Sequence, residues 1–435
     1  MCGIVGIVDA ATLPRLGDVR HALDLMRHRG PDGEGTWSRD DGGPPFVVLG
    51  HKRLAIIDLT DAGAQPMGTV DRSLWITYNG ELYNYLELRA RLEGLGRVFR
   101  SDSDTEVILQ AYEEWGRRSL DSFNGMFAFA IWDERRRTLF AARDRFGEKP
   151  FHYSWDAASG RFAFASEIKA LLSLPTVSKG LDDRALYRFI RFRELAASDQ
   201  TLWADVRRLR HAHWLELSWV GDRFTLSTAP YWDVDLDHRE ELSREEAASR
   251  FRELFADSVR LRLRSDVAVG TSLSGGLDSS SVICQIQRLG AAEGQKAFSA
   301  RMEDPELDEG RHIRRVLQAT GIPGYEVWPS AEELERLFSR LCYALEEPFP
   351  TTSQFAQHLV MRLASEHGVT VLLDGQGADE LLAGYRPYFF TRYLDLASGW
   401  RLAALGRELL AFRRRHGQAL PLSAKAVAAR LAPSL

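Results

Sequence analysis

The rhythm of apolar residues changes once along this chain, over residues 231–242, and that change most constrains the fold. Before it, short runs alternate large and small or polar residues: I-V-G-I-V, F-V-V-L-G, L-W-I-T-Y, F-A-F-A-I-W, L-F-A-A-R and F-A-F-A-S. Period-two runs of this kind are strands with two distinct faces. Helical patterns fall between them, near 16–28, 83–93, 104–116 and 183–192, and a further strand is expected at Phe224–Leu226. Strands in runs, with helices between the runs, predict stacked sheets flanked by helices. Tyr231–Glu241 is polar, acidic and irregular. Beyond it, strands at Val267–Leu273, Ala297–Ala300, Tyr325–Trp328 and Val369–Leu373 alternate with helical stretches near 243–263, 279–289, 308–320, 331–345 and 353–366. That alternation predicts a parallel sheet wrapped by helices. Residues 391–435, rich in Leu, Ala and Arg, predict an amphipathic helix with a solvated basic face. At 435 residues the chain exceeds one ordinary domain. The reading is therefore two domains, 2–230 and 243–435, joined by a linker at 231–242.

Composition narrows the function classes. Lys and Arg number 56 against 61 Asp and Glu, a net charge of −5, so no global basic field recruits nucleic acid. No apolar run is long enough to cross a bilayer, so no membrane partner is expected. The start, M-C-G-I-V-G-I-V-D, lacks the basic region of a secretory signal, which predicts a cytoplasmic chain. Three cysteines, an odd and sparse set, suit a reducing compartment rather than a disulfide scaffold. No Cys/His cluster has zinc-ligand spacing.

Cys2 is the residue with the most chemical promise. Removal of Met1 would make it the first residue, with a free α-amine beside its thiol. Such an amine, with a pKa of roughly 7.7–8.0, can take the thiol proton and later deliver one to a leaving amine. Alone, a cysteine here is as well explained as a small buried residue opening a strand. The surrounding segments decide otherwise. R-H-R-G-P-D (27–32) is a tight Gly-Pro turn. H-K-R-L-A-I-I-D (51–58) puts a cation at the start of a strand. Y-N-G-E-L-Y-N (78–84) is a strand running into a turn, and S-D-T-E (103–106) opens a helix with capping chemistry.

A second group of motifs lies beyond the linker. V-A-V-G-T-S-L-S-G-G-L-D-S-S (267–280) reads as strand, Gly-rich turn and helix start, whose N–H groups make an anion site. It is not a Walker A loop, since no G-K-[ST] follows. D-G-Q-G-A-D-E-L-L-A-G-Y (374–385) follows another strand. Both clusters sit at carboxyl ends of strands, where ligands gather in an open parallel sheet.

Together and in this order, the first group resembles the glutaminase domain of class II, N-terminal-nucleophile amidotransferases. The whole chain resembles the glutamine-hydrolysing asparagine synthetase family, with G-M-F-A-F-A-I-W-D, A-R-D-R-F-G-E-K-P and F-A-S-E-I-K-A-L as further landmarks. The resemblance implies an αββα Ntn-hydrolase sandwich followed by a doubly wound parallel-sheet ATP-pyrophosphatase domain. It implies that Cys2 attacks the glutamine side-chain amide, with Asn79 and the Gly80 N–H as oxyanion hole. Arg53 would hold the substrate carboxylate, Glu81 and Asp104 its ammonium, and Ile56 would complete the glutamine pocket. Ser272, Leu273, Ser274, Gly275, Gly276, Asp278, Ser279, Ala300, Asp374 and Gly375 would bind ATP. Asp278 and Asp379 would share Mg²⁺ on the departing pyrophosphate. Ammonia from Cys2 would travel an internal passage to an acyl-adenylate, giving amide, AMP and pyrophosphate.

Two departures qualify the expectation. The family's second cluster usually reads S-G-E-G-S-D-E, and here Gln376 replaces the glutamate linked to adenylate formation. Glutamine carries no charge and is no base. The resemblance implies aspartate as the simplest acceptor, whereas Gln376 points to another carboxylate, such as a sugar acid or a peptide. The E-x-R-x-P-F-L-D segment and the catalytic lysine expected further on are not recognisable, which predicts a second domain incomplete at its C-terminus. A separate C-terminal fragment, a homodimer, and a free-standing glutaminase with a non-catalytic second domain stay open.

Overall fold

A computed structural model describes residues 1–39, 43–193, 199–349 and 351–417. The first half holds twelve strands among the described residues: β1 (Gly3–Asp9), β2 (Gly33–Arg39), β3 (Phe46–Arg53), β4 (Met67–Gly68), β5 (Leu74–Leu82), β6 (Gly125–Asp133), β7 (Thr138–Arg143), β8 (His152–Asp156), β9 (Arg161–Ala165), β10 (Arg207–Arg208), β11 (His213–Val220) and β12 (Arg223–Pro230). They form two six-stranded antiparallel sheets, ordered β10-β8-β9-β1-β3-β2 and β12-β11-β7-β6-β5-β4.

The alternation read from the sequence is what stacks them. In β1, Ile4 and Val8 join the core between the sheets, while Val5 and Ile7 pack outward with Val19, Ala22 and Leu23 of the helix Leu16–Leu25. In β6, Ala128, Ala130 and Trp132 face the inter-sheet core, and Phe127, Phe129 and Ile131 face the outer layer. That outer layer contains Leu88 and Leu92 of the helix Tyr85–Gly94 and Val107–Leu109 of the helix Asp104–Trp115. Both faces of both sheets are thus buried, giving the four-layer αββα sandwich. A one-residue slip in either strand would exchange its two faces, so the register is strongly specified.

The second half carries four parallel strands, β13 (Val269–Ser272), β14 (Ala297–Ala300), β15 (Gly324–Val327) and β16 (Val371–Leu373), ordered β15-β14-β13-β16. Helices Leu277–Arg288, Gly310–Thr320 and Ser353–Glu366 cover the sheet. A capping box at Ser243, with both reciprocal bonds to Glu246, starts the helix Arg244–Arg262 that leads into this domain. The expected single helix over 391–435 is instead two, Arg386–Ser398 and Leu402–His416. They are broken at Gly399 and Trp400, where Trp400 takes a left-handed φ of 56° that no helix can continue through. Residues 418–435 of that expectation lie outside the described residues. No described helix is long and apolar enough to cross a membrane.

The two halves are tied by polar contacts. Glu346, with 10% side-chain exposure, accepts hydrogen bonds from the backbone N–H groups of Ile168 (2.9 Å) and Lys169 (2.6 Å) and pairs with Lys169 Nζ at 3.3 Å. Glu347 pairs with Arg208 at 2.6 Å. Glu346→Ala takes the acceptor from two backbone N–H groups, while Lys169 Nζ keeps Glu167 at 2.6 Å, so we expect a loss of about 2 kcal/mol in unfolding free energy, read from urea midpoints. An unchanged midpoint would show that these contacts add nothing to stability.

Candidate active site

One cleft in the first domain is lined by Cys2, Arg53, Leu54, Ile56, Ile57, Gly63, Gln65, Tyr78, Gly80, Glu81, Ser103, Asp104 and Thr105. The six residues assigned to glutamine beside Asn79 (Cys2, Arg53, Ile56, Gly80, Glu81 and Asp104) come from four separate segments, and the fold brings all six to this one cleft. Cys2 precedes β1. Its Sγ accepts from the Leu54 N–H at 3.3 Å, just past the end of β3. Arg29, from the R-H-R-G-P-D turn, donates Nε to the Cys2 carbonyl at 2.8 Å and pairs with Glu167 at 3.1 Å. That turn is therefore more than punctuation: it holds the backbone of Cys2, and Asp32 accepts from Ala55 N–H at 2.9 Å.

Burial is the main force raising the Cys2 thiol above its ordinary pKa, and the Leu54 hydrogen bond opposes it. With Met1 present, the α-amine belongs to Met1, and burial pushes it down to about 5. A neutral amine in this environment is a proton acceptor, but only loss of Met1 places an amine on Cys2 itself.

The sequence reading placed Arg53 at a strand start; it ends β3. Its guanidinium donates to the carbonyls of Thr60 (2.7 Å) and Asp58 in the following turn. β5 delivers the next residues. Gly80 admits nothing larger, since a Cβ would stand 2.3 Å from the Met126 carbonyl and 2.6 Å from the Tyr78 ring. Asn79 lies between two lining residues without lining the cleft itself. It is 1% exposed, and neither its Nδ2 nor its Oδ1 has a partner. A buried primary amide left unpaired costs about 1–3 kcal/mol, which marks it as held for something the protein does not itself supply.

Glu81 and Asp104 are both buried. Burial lifts Glu81 to about 7, with Lys149 opposing and Asp104 adding to the rise. Burial lifts Asp104 to about 6, against hydrogen bonds from Leu82 N–H (2.9 Å) and Tyr78 OH (2.9 Å). Ser103 caps the helix by accepting from Thr105 N–H at 3.2 Å. Glu106 does not return to Ser103; it holds the Arg100 and Ser101 N–H groups instead.

In the second domain, Ser272 ends β13 and Leu273 follows it, near Ala300 at the end of the neighbouring β14, with Leu273 N–H bonded to the Phe298 carbonyl at 2.9 Å. The loop Ser274–Gly276 is pinned by Ser279, whose Oγ accepts from Ser274 N–H at 3.2 Å. Gly375 packs so closely on the helix start that a Cβ there would lie 2.8 Å from the Ser279 nitrogen. The fold thus brings 272–279 against 374–375. Asp278 is raised by burial and then by Asp379 and Glu380, so these acids share one space. Gln376 is exposed. Among the described residues no group of three His, Cys, Asp or Glu is arranged to hold a metal.

Sequence reasoning missed Arg29 and the second-domain Asp266, which bonds to the turn 56–58 beside the cleft. R-H-R-G-P-D held the signal for Arg29; nothing local marks Asp266.

Comparison with known proteins identifies the family. Residues 1–232 match the glutamine amidotransferase domain family and residues 250–433 match the asparagine synthase family. The chain is 34% identical over 419 residues to asparagine synthetase [glutamine-hydrolyzing] 3 of Bacillus subtilis, covering 92% of this chain and 66% of that protein. It is 32% identical over 440 residues to putative asparagine synthetase [glutamine-hydrolyzing] 2 of Methanocaldococcus jannaschii, covering 97% and 81%. It is also 32% identical over 394 residues to amidase chyE of Penicillium rubens, covering 87% and 56%. The chain thus spans between 56% and 81% of the length of these relatives. On the strength of both domain matches and this identity over most of its length, the chain belongs to the glutamine-hydrolysing asparagine synthetase family.

Proposed function

We propose that this protein hydrolyses glutamine at Cys2 and joins the ammonia to a carboxylate activated by ATP in the second domain, aspartate being the simplest acceptor. The observation that carries this is the single cleft in which a thiol, a guanidinium and two buried carboxyls meet beside an unpaired amide. A zwitterionic amino acid with a side-chain amide needs that set. Cys2 sulfur adds to the glutamine amide carbon, and the oxyanion takes hydrogen bonds from Asn79 Nδ2 and Gly80 N–H. Collapse forms a thioester and expels ammonia, which takes its proton from the α-amine. Water then cleaves the thioester to glutamate. In the second domain, the acceptor carboxylate attacks the ATP α-phosphorus, pyrophosphate leaves, and ammonia displaces AMP to give the amide.

Asp278 and Asp379 fit a Mg²⁺ ion. Their mutual repulsion is what a cation relieves, and two carboxylates with phosphate oxygens are a usual Mg²⁺ set. Bound there, the ion would neutralise charge on the departing pyrophosphate. Gln376 supports a second reading, an acceptor other than aspartate. Supplying ATP, Mg²⁺ and glutamine with aspartate, and in parallel with sugar acids and peptides, tests both. Asparagine and pyrophosphate in equal amounts support the aspartate version. Pyrophosphate with another acceptor alone supports the second.

The raised carboxyls set a pH dependence. The folded empty cleft binds more protons than the unfolded chain, so this pair lowers stability as pH rises through the 4–7 range. A bound ammonium favours both carboxylates, so glutamine binding expels protons below the pKa of Glu81. We expect the KM for glutamine to fall about tenfold from about pH 5.5 to 7.5, measured by initial rates. A flat KM would contradict the assigned roles of Glu81 and Asp104.

A further inference from the structure

We infer that Asp266, a residue of the second domain, is a positioning residue for glutamine hydrolysis in the first. The inference rests on reading the Cys2 cleft as the glutamine pocket. Asp266 lies three residues before β13, the strand that ends in the Gly-rich loop. Its backbone N–H donates to the Ile56 carbonyl at 2.9 Å, and its Oδ2 accepts from the Asp58 N–H at 2.8 Å. It therefore grips both ends of the turn 56–58, whose first residue lines the cleft.

Asp58 is the joint from which the two charged ends of the pocket are held. It is buried and takes a left-handed φ of 55°, which a non-glycine residue keeps only where its surroundings over-determine it. Its carbonyl accepts from the Arg53 guanidinium. Its Oδ2 accepts from the Asp102 N–H at 3.0 Å, two residues before Asp104. Its Oδ1 accepts from Thr60 N–H at 3.1 Å and Thr60 Oγ1. One turn thus sets both the guanidinium and the approach to the carboxyl, and Asp266 braces that turn from outside the domain.

The same segment also bonds to the chain just beyond Glu81. Arg264 donates to the Tyr83 carbonyl at 2.6 Å and pairs with Glu87 at 2.5 Å, while the Arg262 guanidinium lies 4.6 Å from the Tyr83 ring centroid. Tyr83 follows Glu81 by two residues on the continuation of β5. Residues 262–266 therefore bond both to the turn 56–58 and to Tyr83, two residues beyond the cleft-lining Glu81, and run directly into the strand bearing the Gly-rich loop.

The test uses the full chain. Asp266 is exposed, so truncation leaves the core intact. Asp266→Ala removes the acceptor for Asp58, and we expect the glutamine KM to rise about fivefold with kcat for glutamate release within about twofold. Asp266→Asn keeps an acceptor oxygen and is expected to hold KM within about twofold of the parent. Amide exchange at residues 56–60 and 102–104 should quicken in the alanine variant and stay parental in the asparagine variant. Active parent protein with an unaltered KM in Asp266→Ala, or a change confined to kcat, overturns the inference alone. A parent chain inert toward glutamine overturns the glutaminase reading and the inference with it.

Discussion

Replacing Cys2 with Ala in the Met-processed chain is expected to cut glutamate release from glutamine by about 10⁴-fold or more, while amide synthesis from free ammonia continues. The thiol is the one sulfur among the residues lining the cleft, and it is the group proposed to form the acyl intermediate. The substitution removes a single sulfur from a site whose walls come from β3, β5 and the helix Asp104–Trp115. Glutamine should still bind, because Arg53, Glu81 and Asp104 remain. The measurement is glutamate formed per enzyme, beside amide formed with ammonium as nitrogen source. Equal glutamate release from variant and parent would remove Cys2 from the reaction.

Asn79→Ala is expected to lower kcat for glutamine hydrolysis by about 10²–10³, the usual cost of one oxyanion donor. The stability prediction runs the other way. Asn79 is buried with both amide atoms unpaired, so deleting the amide removes an unsatisfied polar group and costs the empty protein little. A large rate loss with an unchanged unfolding midpoint would separate a donor reserved for the transition state from a structural asparagine. A large fall in midpoint with a modest change in kcat would contradict the assignment.

These expectations draw on features of unequal legibility. The stacked sheets were readable because both faces of each strand carry a pattern: Ile4 and Val8 inward, Val5 and Ile7 outward. The parallel sheet was readable from strands spaced by helical stretches. The helix break at Trp400 was not, since its left-handed residue is no glycine and carries no turn signature. In the site, Cys2, Arg53, Gly80, Glu81 and Asp104 announced themselves through motif context. Gly80 also has a local physical reason, because β6 passes too close for a side chain. Asp266 and Glu346 act across the domain boundary, 208 and 178 residues from the atoms they hold. Such contacts leave no periodic or local trace, because the chemistry of an exposed Asp or a helix-ending Glu is the same whether or not a partner waits in space.

That division bears on how the two halves work together. The segment that leads into the Gly-rich loop bonds to Asp58 and to Tyr83, and Glu346 bonds the backbone at Ile168 and Lys169, next to the Glu167 that pairs with Arg29. Arg29 in turn holds the Cys2 carbonyl. The second domain thus bonds to segments next to the first domain's cleft, which is an arrangement suited to the proposed release of ammonia in one half and its use in the other.

The most direct test of that account follows the nitrogen. The Met-processed chain receives glutamine labelled with ¹⁵N at its side-chain amide, together with ATP, Mg²⁺, unlabelled ammonium and aspartate or an alternative carboxylate. The account predicts glutamate and pyrophosphate formed together, with ¹⁵N in the amide product despite the unlabelled pool. Glutamate accumulating with no pyrophosphate for any acceptor would contradict it.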